Sequence, residues 1–296
     1  EPKILTPMRP RPILFYWIGI IVLILNKIRY GLRGYKDPRP FAPRYYTKAI
    51  AYDQKIVSQW LEALSRSTNQ SIEGKTVLEL GPGADLGAAL LLLDKGAKNY
   101  VTIDAHRLIN RTPSLFYETL LKTLQHGKEL KKELAKTLSG NDERIRYIVD
   151  PHFDLSLLEK ESVDLVVSQA AFEHFSDVGK TIEQLSSVVK KGAMLIAEID
   201  LMTHTGFIRS RDPLNIFRYS KRFYKLMRFP GIPNRLRPND YKRLLERYGW
   251  GKIEVTPLQS LSPAYVKKIL PQLNKLFQEK DTDMEVLTFL LTATKE

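Results

Sequence analysis

Two acids and two glycines stand at a spacing that could hold a small organic ligand. Val77 to Leu80 reads as a buried parallel strand, with Glu79 inside it. A buried carboxylate is costly unless something pairs with it. Gly81, Pro82 and Gly83 follow, and the glycines let the backbone turn sharply and a ligand come close. A helix is expected over 86–95, with Asp85 as its N-cap. Asp104 then ends the next strand, twenty-one residues after Gly83. An acid at that place accepts hydrogen bonds from ribose hydroxyls.

Two ligand classes compete for such a turn. A nicotinamide dinucleotide prefers a third glycine that lets the helix pack closely, but that position is Leu86. It also needs free helix amides for its pyrophosphate. S-adenosyl-L-methionine has no phosphate, and its amino-acid tail suits a carboxylate such as Glu79. The residues therefore favour S-adenosylmethionine.

The sequence resembles the class I methyltransferases. Glu79-Leu80-Gly81-Pro82-Gly83 matches that family's glycine turn, and Thr102-Ile103-Asp104 its ribose acid. Asp150 stands where the family's adenine-side acid does. Ser162-Val163-Asp164-Leu165-Val166-Val167-Ser168 resembles the fourth strand, and Phe172-Glu173-His174-Phe175 the segment after it. Lys191 to Ile196 looks like the turn into the fifth strand. The likeness covers about residues 72–200, with the closing strands after 250 also in pattern. It implies an α/β, doubly wound, Rossmann-like sheet of seven strands, mainly parallel, with an antiparallel last strand. It implies further that Ala105, Pro151, Ser168 and Gln169 join Glu79, the glycine turn, Asp104 and Asp150 around the cofactor. At position 85 the family often has a glycine, where this chain has Asp85.

Transfer of a methyl group to an alcohol needs alignment and, at some stage, a base. Three candidates lie at the ends of strands four and five: His174, Asp200 and His204. His174 could equally be a packing residue, and His204 could simply face water. No metal centre is expected. Cysteine is absent, which removes thiolate metal sites, disulfides and every cysteine nucleophile.

The elements that must position these residues follow from hydrophobic periodicity. Strands are expected at 76–80, 100–103, 145–149, 163–168, 193–199, 252–256 and 285–293. Helices fit 49–66, 86–95, 114–138, 178–190 and 263–279, the last as one long crossing. Residues 105–144 and 200–250 exceed a minimal connection, and extra chain at strand ends is where this architecture builds ligand sites.

Ahead of this domain, residues 13–25 are apolar apart from Gly19, with cations on both sides, including Arg9 and Arg11. The run is short for a membrane span and offers no signal-peptide cleavage site. A helix lying on a membrane surface fits; packing on the protein itself or on a second subunit is the alternative. Two parts are thus expected: 1–48 as an apolar, basic segment and linker, and 49–296 as the α/β domain.

The net charge is +13, and it is unevenly spread. Residues 1–48 carry ten Lys/Arg against two acids, and residues 207–247 carry twelve against three. Such segments are either a solvated surface or a contact with something anionic. The stretches Arg211 to Tyr219 and Pro233 to Arg237 interleave aromatics with arginines. They resemble the post-strand insert of methyltransferases acting in bacterial surface-glycan synthesis. The expected acceptor is a small molecule, a glycan or a lipid-linked compound, met by a cytoplasmic protein peripheral to the inner face of an anionic membrane. Nucleic acid is the main rival, although Ser168 to Phe172 lacks the Asn/Asp-Pro-Pro-aromatic signature of base-amine methylation. A non-catalytic membrane scaffold of the same fold is the third reading.

Overall fold

Alternating strands and helices with apolar runs on both strand faces must bury a sheet between two helical layers. The computed structural model shows that arrangement and describes residues 2–7, 12–35 and 42–296. Arg9 and Arg11 lie outside the described residues. The strands are β1 (Lys3–Leu5), β2 (Thr76–Leu80), β3 (Asn99–Asp104), β4 (Ile145–Val149), β5 (Val163–Gln169), β6 (Val189–Asp200), β7 (Trp250–Leu261) and β8 (Val286–Lys295). The helices are α1 (Pro12–Arg33), α2 (Tyr46–Thr68), α3 (Gly87–Asp94), α4 (Ser114–Leu121), α5 (Gly127–Ser139), α6 (Val178–Val188), α7 (Gly206–Arg209), α8 (Lys221–Met227), α9 (Pro238–Arg247) and α10 (Pro263–Ile269).

The sheet order is β1-β7-β8-β6-β5-β2-β3-β4. β2 to β6 pair in parallel, and β8 runs antiparallel between β6 and β7. The expected seven strands are present, and the short β1 adds an eighth at the edge beside β7. The order reverses between β2 and β5, which places a ligand crevice at their carboxyl ends.

Alternate residues of each strand face opposite layers. Val77, Leu165 and Ile196 pack with α2, α3 and α4 on one face. Leu78, Val166 and Leu195 pack with α6 and α9 on the other. A third core lies outside the sheet. It joins Leu23 of α1 to Leu214, Phe217 and Tyr224 of the insert, and to Tyr265 and Ile269 of α10.

Three expected elements differ. The helix over 114–138 is two helices: the chain reverses at 122–126, where Asp94 accepts the Gln125 and His126 amides. Gly127 restarts it so close to the Leu121 carbonyl that a Cβ would sit 2.1 Å from that oxygen. The crossing over 263–279 ends at Ile269 and continues as three single 3-10 turns; Pro271 cannot donate the next helical hydrogen bond. Leu86, rather than Asp85, is the α3 N-cap, and Asp85 accepts the Gly87 amide from one residue upstream at 2.8 Å.

Candidate active site

The crevice begins with the turn after β2. Gly81 and Gly83 have φ of +75° and +76°, values that favour glycine. Each does a different job. A Cβ on Gly81 would lie 2.6 Å from that of Ala171, so Gly81 lets the segment after β5 close over the turn. A Cβ on Gly83 would meet nothing, so Gly83 borders open space. Its amide donates to Asp104 at 3.3 Å, and the His106 amide donates to the other Asp104 oxygen at 3.1 Å. Asp104 is thereby aimed beside the turn, with Ala105 half-buried next to it.

Glu79 is buried, and its carboxylate accepts a hydrogen bond from the Tyr100 hydroxyl. Burial pushes its pKa up to about 8, against the lowering effect of that bond. Asp53 of α2 arrives from the helical layer above. Its Oδ2 is buried without a hydrogen-bond partner, and burial, with Asp85 and Glu79 nearby, raises its pKa to about 8. Burial raises Asp85 and Asp104 as well. Among the described residues, no Lys or Arg pairs with Glu79, Asp53 or Asp85. Four carboxylates thus surround a glycine turn that faces open space. A cation is the ligand that such a pocket stabilises, and S-adenosylmethionine brings a sulfonium and an ammonium.

The other expected cofactor residues divide. Asp150 accepts the His152 and Asp154 amides on one oxygen and so shapes its own turn, with Pro151 exposed on it. The buried Ser168 hydroxyl donates to the Leu80 carbonyl at 2.9 Å and ties β5 to β2. Gln169 ends β5, and its Oε1 is buried without a partner.

The second half of the crevice lies at the ends of β5 and β6. His174 sits in the 3-10 turn after β5, and Asp200 ends β6. His204 comes four residues later. The structure brings all three together. The rings of His174 and His204 meet edge to face at 4.7 Å, and His204 Nε2 lies 3.9 Å from Asp200. Asp200 is already engaged: Arg209 of α7 holds one oxygen at 2.6 Å, and the Met202 amide donates to the other at 3.0 Å.

The residue not singled out from sequence is Glu173. It is 1% exposed, neither carboxylate oxygen makes a hydrogen bond, and Oε1 lies 3.8 Å from His204 Nε2. Burial and the charge of Asp200 raise its pKa to about 8, against the lowering effect of the nearby Glu173 and Asp200 backbone amides. Burial and His174 lower that of His204 to about 4. Burial lowers His174 too, and its Nδ1 has no partner. A glutamate one place before a candidate histidine was the available signal for Glu173. Asp53 gave none, because its helix is joined to the turn only by packing.

The insert over 200–250 holds this cluster in place. Asn234 donates its amide to the Glu173 carbonyl at 2.7 Å and its side chain to the Phe172 carbonyl at 2.9 Å. Arg228 reaches the Ser176 carbonyl at 3.0 Å. The same insert grips α1. Asn215 donates to the Phe15 carbonyl at 2.9 Å and Tyr219 to the Tyr16 carbonyl at 3.2 Å, and Lys27 of α1 reaches the Leu226 carbonyl. Gly19 makes that approach possible, since a Cβ there would stand 1.9 Å from the Tyr219 hydroxyl.

The interleaved arginines are not a free ligand surface. Arg218 forms a buried fork with Asp212, at 2.7 and 3.0 Å. Arg235 binds the Ile216 and Tyr219 carbonyls and stacks on Tyr224. Arg237 is buried against the Thr282, Asp283 and Val286 carbonyls. The exposed cations of the insert include Arg211, Lys221, Arg222, Lys225 and Arg228.

Comparison with known proteins adds a family. No curated protein matches the chain. Among solved structures it is similar to an S-adenosylmethionine-dependent methyltransferase from Mesorhizobium loti, at 15% identity over 79% of this chain and 96% of that one, with a TM-score of 0.45. It is similar to one from Archaeoglobus fulgidus at 13% identity, over 83% and 99%, with a TM-score of 0.46. Phosphoethanolamine N-methyltransferase 2 from Haemonchus contortus, in complex with S-adenosyl-L-methionine, is similar at 17% identity, over 86% and 58%, with a TM-score of 0.45. These likenesses are remote. The family described as methyltransferase domain matches residues 50–255, well over half of the chain. The chain belongs to that family and is an S-adenosylmethionine-dependent methyltransferase.

Proposed function

We propose that this enzyme methylates a hydroxyl oxygen of a small-molecule, glycan or lipid-linked acceptor while resting on the cytoplasmic face of an anionic membrane. The donor lies at the glycine turn, with Glu79 toward its amino-acid end and Asp104 toward its ribose. The acceptor oxygen faces Glu173, His174 and His204, which hold it in line with the carbon–sulfur bond. An oxygen lone pair forms the new bond to the methyl carbon. The carbon–sulfur electron pair returns to sulfur, and the sulfonium becomes a neutral thioether. The hydroxyl proton leaves through the open side at His204, whose side chain is one-third exposed.

The observation that carries this reading is the double grip of the insert. It binds α1 through Asn215 and Tyr219 and the Glu173 segment through Asn234. Meanwhile Ile13, Trp17, Ile21, Leu25, Ile28 and Leu32 form an outward stripe, each more than half exposed. By length and composition α1 could cross a membrane. A crossing helix would drag the insert and its exposed Arg222 and Lys225 into hydrocarbon, at high cost. A helix lying in the membrane plane keeps its packed face on the protein and its apolar stripe in lipid. Cations along the rim then meet anionic headgroups. Nucleic acid is disfavoured by the same geometry, since three of the interleaved arginines are occupied inside the protein.

The test is co-sedimentation of the full chain with vesicles of neutral or anionic lipid. The protein should pellet with anionic vesicles, and Trp17→Ser with Ile21→Ser should release it. These positions face outward, so the fold does not depend on them. Equal behaviour of the two forms contradicts membrane attachment. Tight, steeply salt-dependent binding to plain RNA would favour the nucleic-acid reading instead.

A further inference from the structure

We propose that Glu173, His174 and His204 form a binding site for one divalent transition-metal ion, with zinc the best match. The inference deepens the proposed acceptor site and rests on that reading for its use, though not for its existence.

The first argument is the donor set. Two imidazoles and one carboxylate are a nitrogen- and oxygen-rich triad of the kind that holds zinc and other first-row ions, in preference to calcium or magnesium. One ligand atom from each residue lies within 4.8 Å of the others. Around an ion with bonds of about 2.0–2.1 Å, tetrahedral ligand atoms stand ~3.4 Å apart. Small side-chain rotations close the difference. His204 Nε2 and Glu173 Oε1 stand close to that spacing, at 3.8 Å.

The second argument is independent of spacing. Glu173 is 1% exposed and aims a carboxylate with two unpartnered oxygens into the cluster. His174 Nδ1 is also buried and unpartnered. Buried polar atoms rarely go without a hydrogen bond, and a metal ion satisfies all of these atoms at once. The surroundings are those of oriented ligands as well. The Gly231 backbone lies against the His174 ring and the Met202 backbone against that of His204. Backbone groups commonly fix ligating histidines in this way. Asp200, tied by Arg209, lies 3.9 Å from the same His204 Nε2 that faces Glu173.

Three protein ligands leave a coordination position for another molecule, the pattern of catalytic rather than structural sites. The floor of the cluster is buried at Glu173 and its rim is open at His204. An ion here would bind the acceptor oxygen, lower the pKa of its hydroxyl and release the proton to water. The ion itself is unchanged by the transfer.

The experiment uses the full chain, stripped with a chelator. Zinc is titrated by calorimetry and cobalt(II) by visible absorption, which reports coordination directly. One ion per chain should bind, with the cobalt bands of a four- or five-coordinate nitrogen–oxygen site. His174→Ala and His204→Ala should each weaken binding roughly a hundredfold or more. Both variants should still bind S-adenosylmethionine like the unmodified chain, which shows that they are folded. No cobalt bands, or equal ion affinity in the variants, overturns the proposal and leaves direct proton transfer by the same residues. A bound ion with no hydroxyl acceptor supports the site and removes the proposed acceptor class instead.

Discussion

Among the described residues, Glu79, Asp53, Asp85 and Asp104 gather around the glycine turn without a Lys or Arg beside them. Across the insert, Arg218 and Arg237 are buried and Arg235 is half-buried among their own carboxylate and carbonyl partners. Charge composition alone draws attention to the insert rather than to the turn. Partners reverse that impression. Arginines bonded to the protein's own carboxylates and carbonyls act as scaffolding, and carboxylates left without a cation point to a cation that binds.

The contrast can be broken most strongly at the Glu173 cluster. Glu173→Gln or His204→Ala should slow methyl transfer by about 10²–10⁴ with little change in cofactor affinity, measured by single-turnover kinetics at saturating S-adenosylmethionine. Unchanged rates would reduce the cluster to packing. The scaffolding side is tested by stability. Arg218→Leu leaves Asp212 buried without a counter-charge, held among the described residues only by the Asn215 side chain, and should cost about 3–5 kcal/mol in denaturant unfolding. Arg222→Ala, on the exposed surface, should stay within ~0.5 kcal/mol. A near-neutral Arg218→Leu would return that arginine to the ligand-binding side. On the acidic side, Asp104→Asn should weaken cofactor binding by about tenfold or more through the ribose hydroxyls, read by calorimetry.

The smallest effect is a pH trend. Glu79 has its pKa raised to about 8 in the free protein. A cationic cofactor favours the carboxylate and therefore lowers that pKa. Binding must then release a proton below about pH 8, so affinity rises with pH up to that point, by at most about tenfold per unit. The affinity gap between the unmodified chain and Glu79→Gln should widen from about pH 6 to about pH 8. A constant gap would mean that Glu79 does not face the cofactor's charge.

Much of this was legible in the chain itself. Strands β2 to β6 announce themselves as apolar runs, and the glycine turn with Asp104 is a local pattern whose meaning depends on nearby residues. What depended on distant packing was not legible. Tyr100 meets Glu79 across neighbouring strands, and Asp53 reaches the turn from α2. Glu173 and His204 converge from the ends of two strands. The two helix breaks arose from tertiary contacts at 122–126 and from Pro271. Residues 13–25 were read as lying on a membrane or on protein; α1 packs one face on the insert, some two hundred residues away, and leaves the other bare.

The central claim is that the carboxylates at the glycine turn, which no described Lys or Arg neutralises, receive the methyl donor. Calorimetric titration of S-adenosylmethionine into the full chain, and into Glu79→Gln, tests it most directly. One site per chain, weakened roughly tenfold to a hundredfold by the substitution, is the predicted result. Absence of binding, or the same affinity in both proteins, would contradict it.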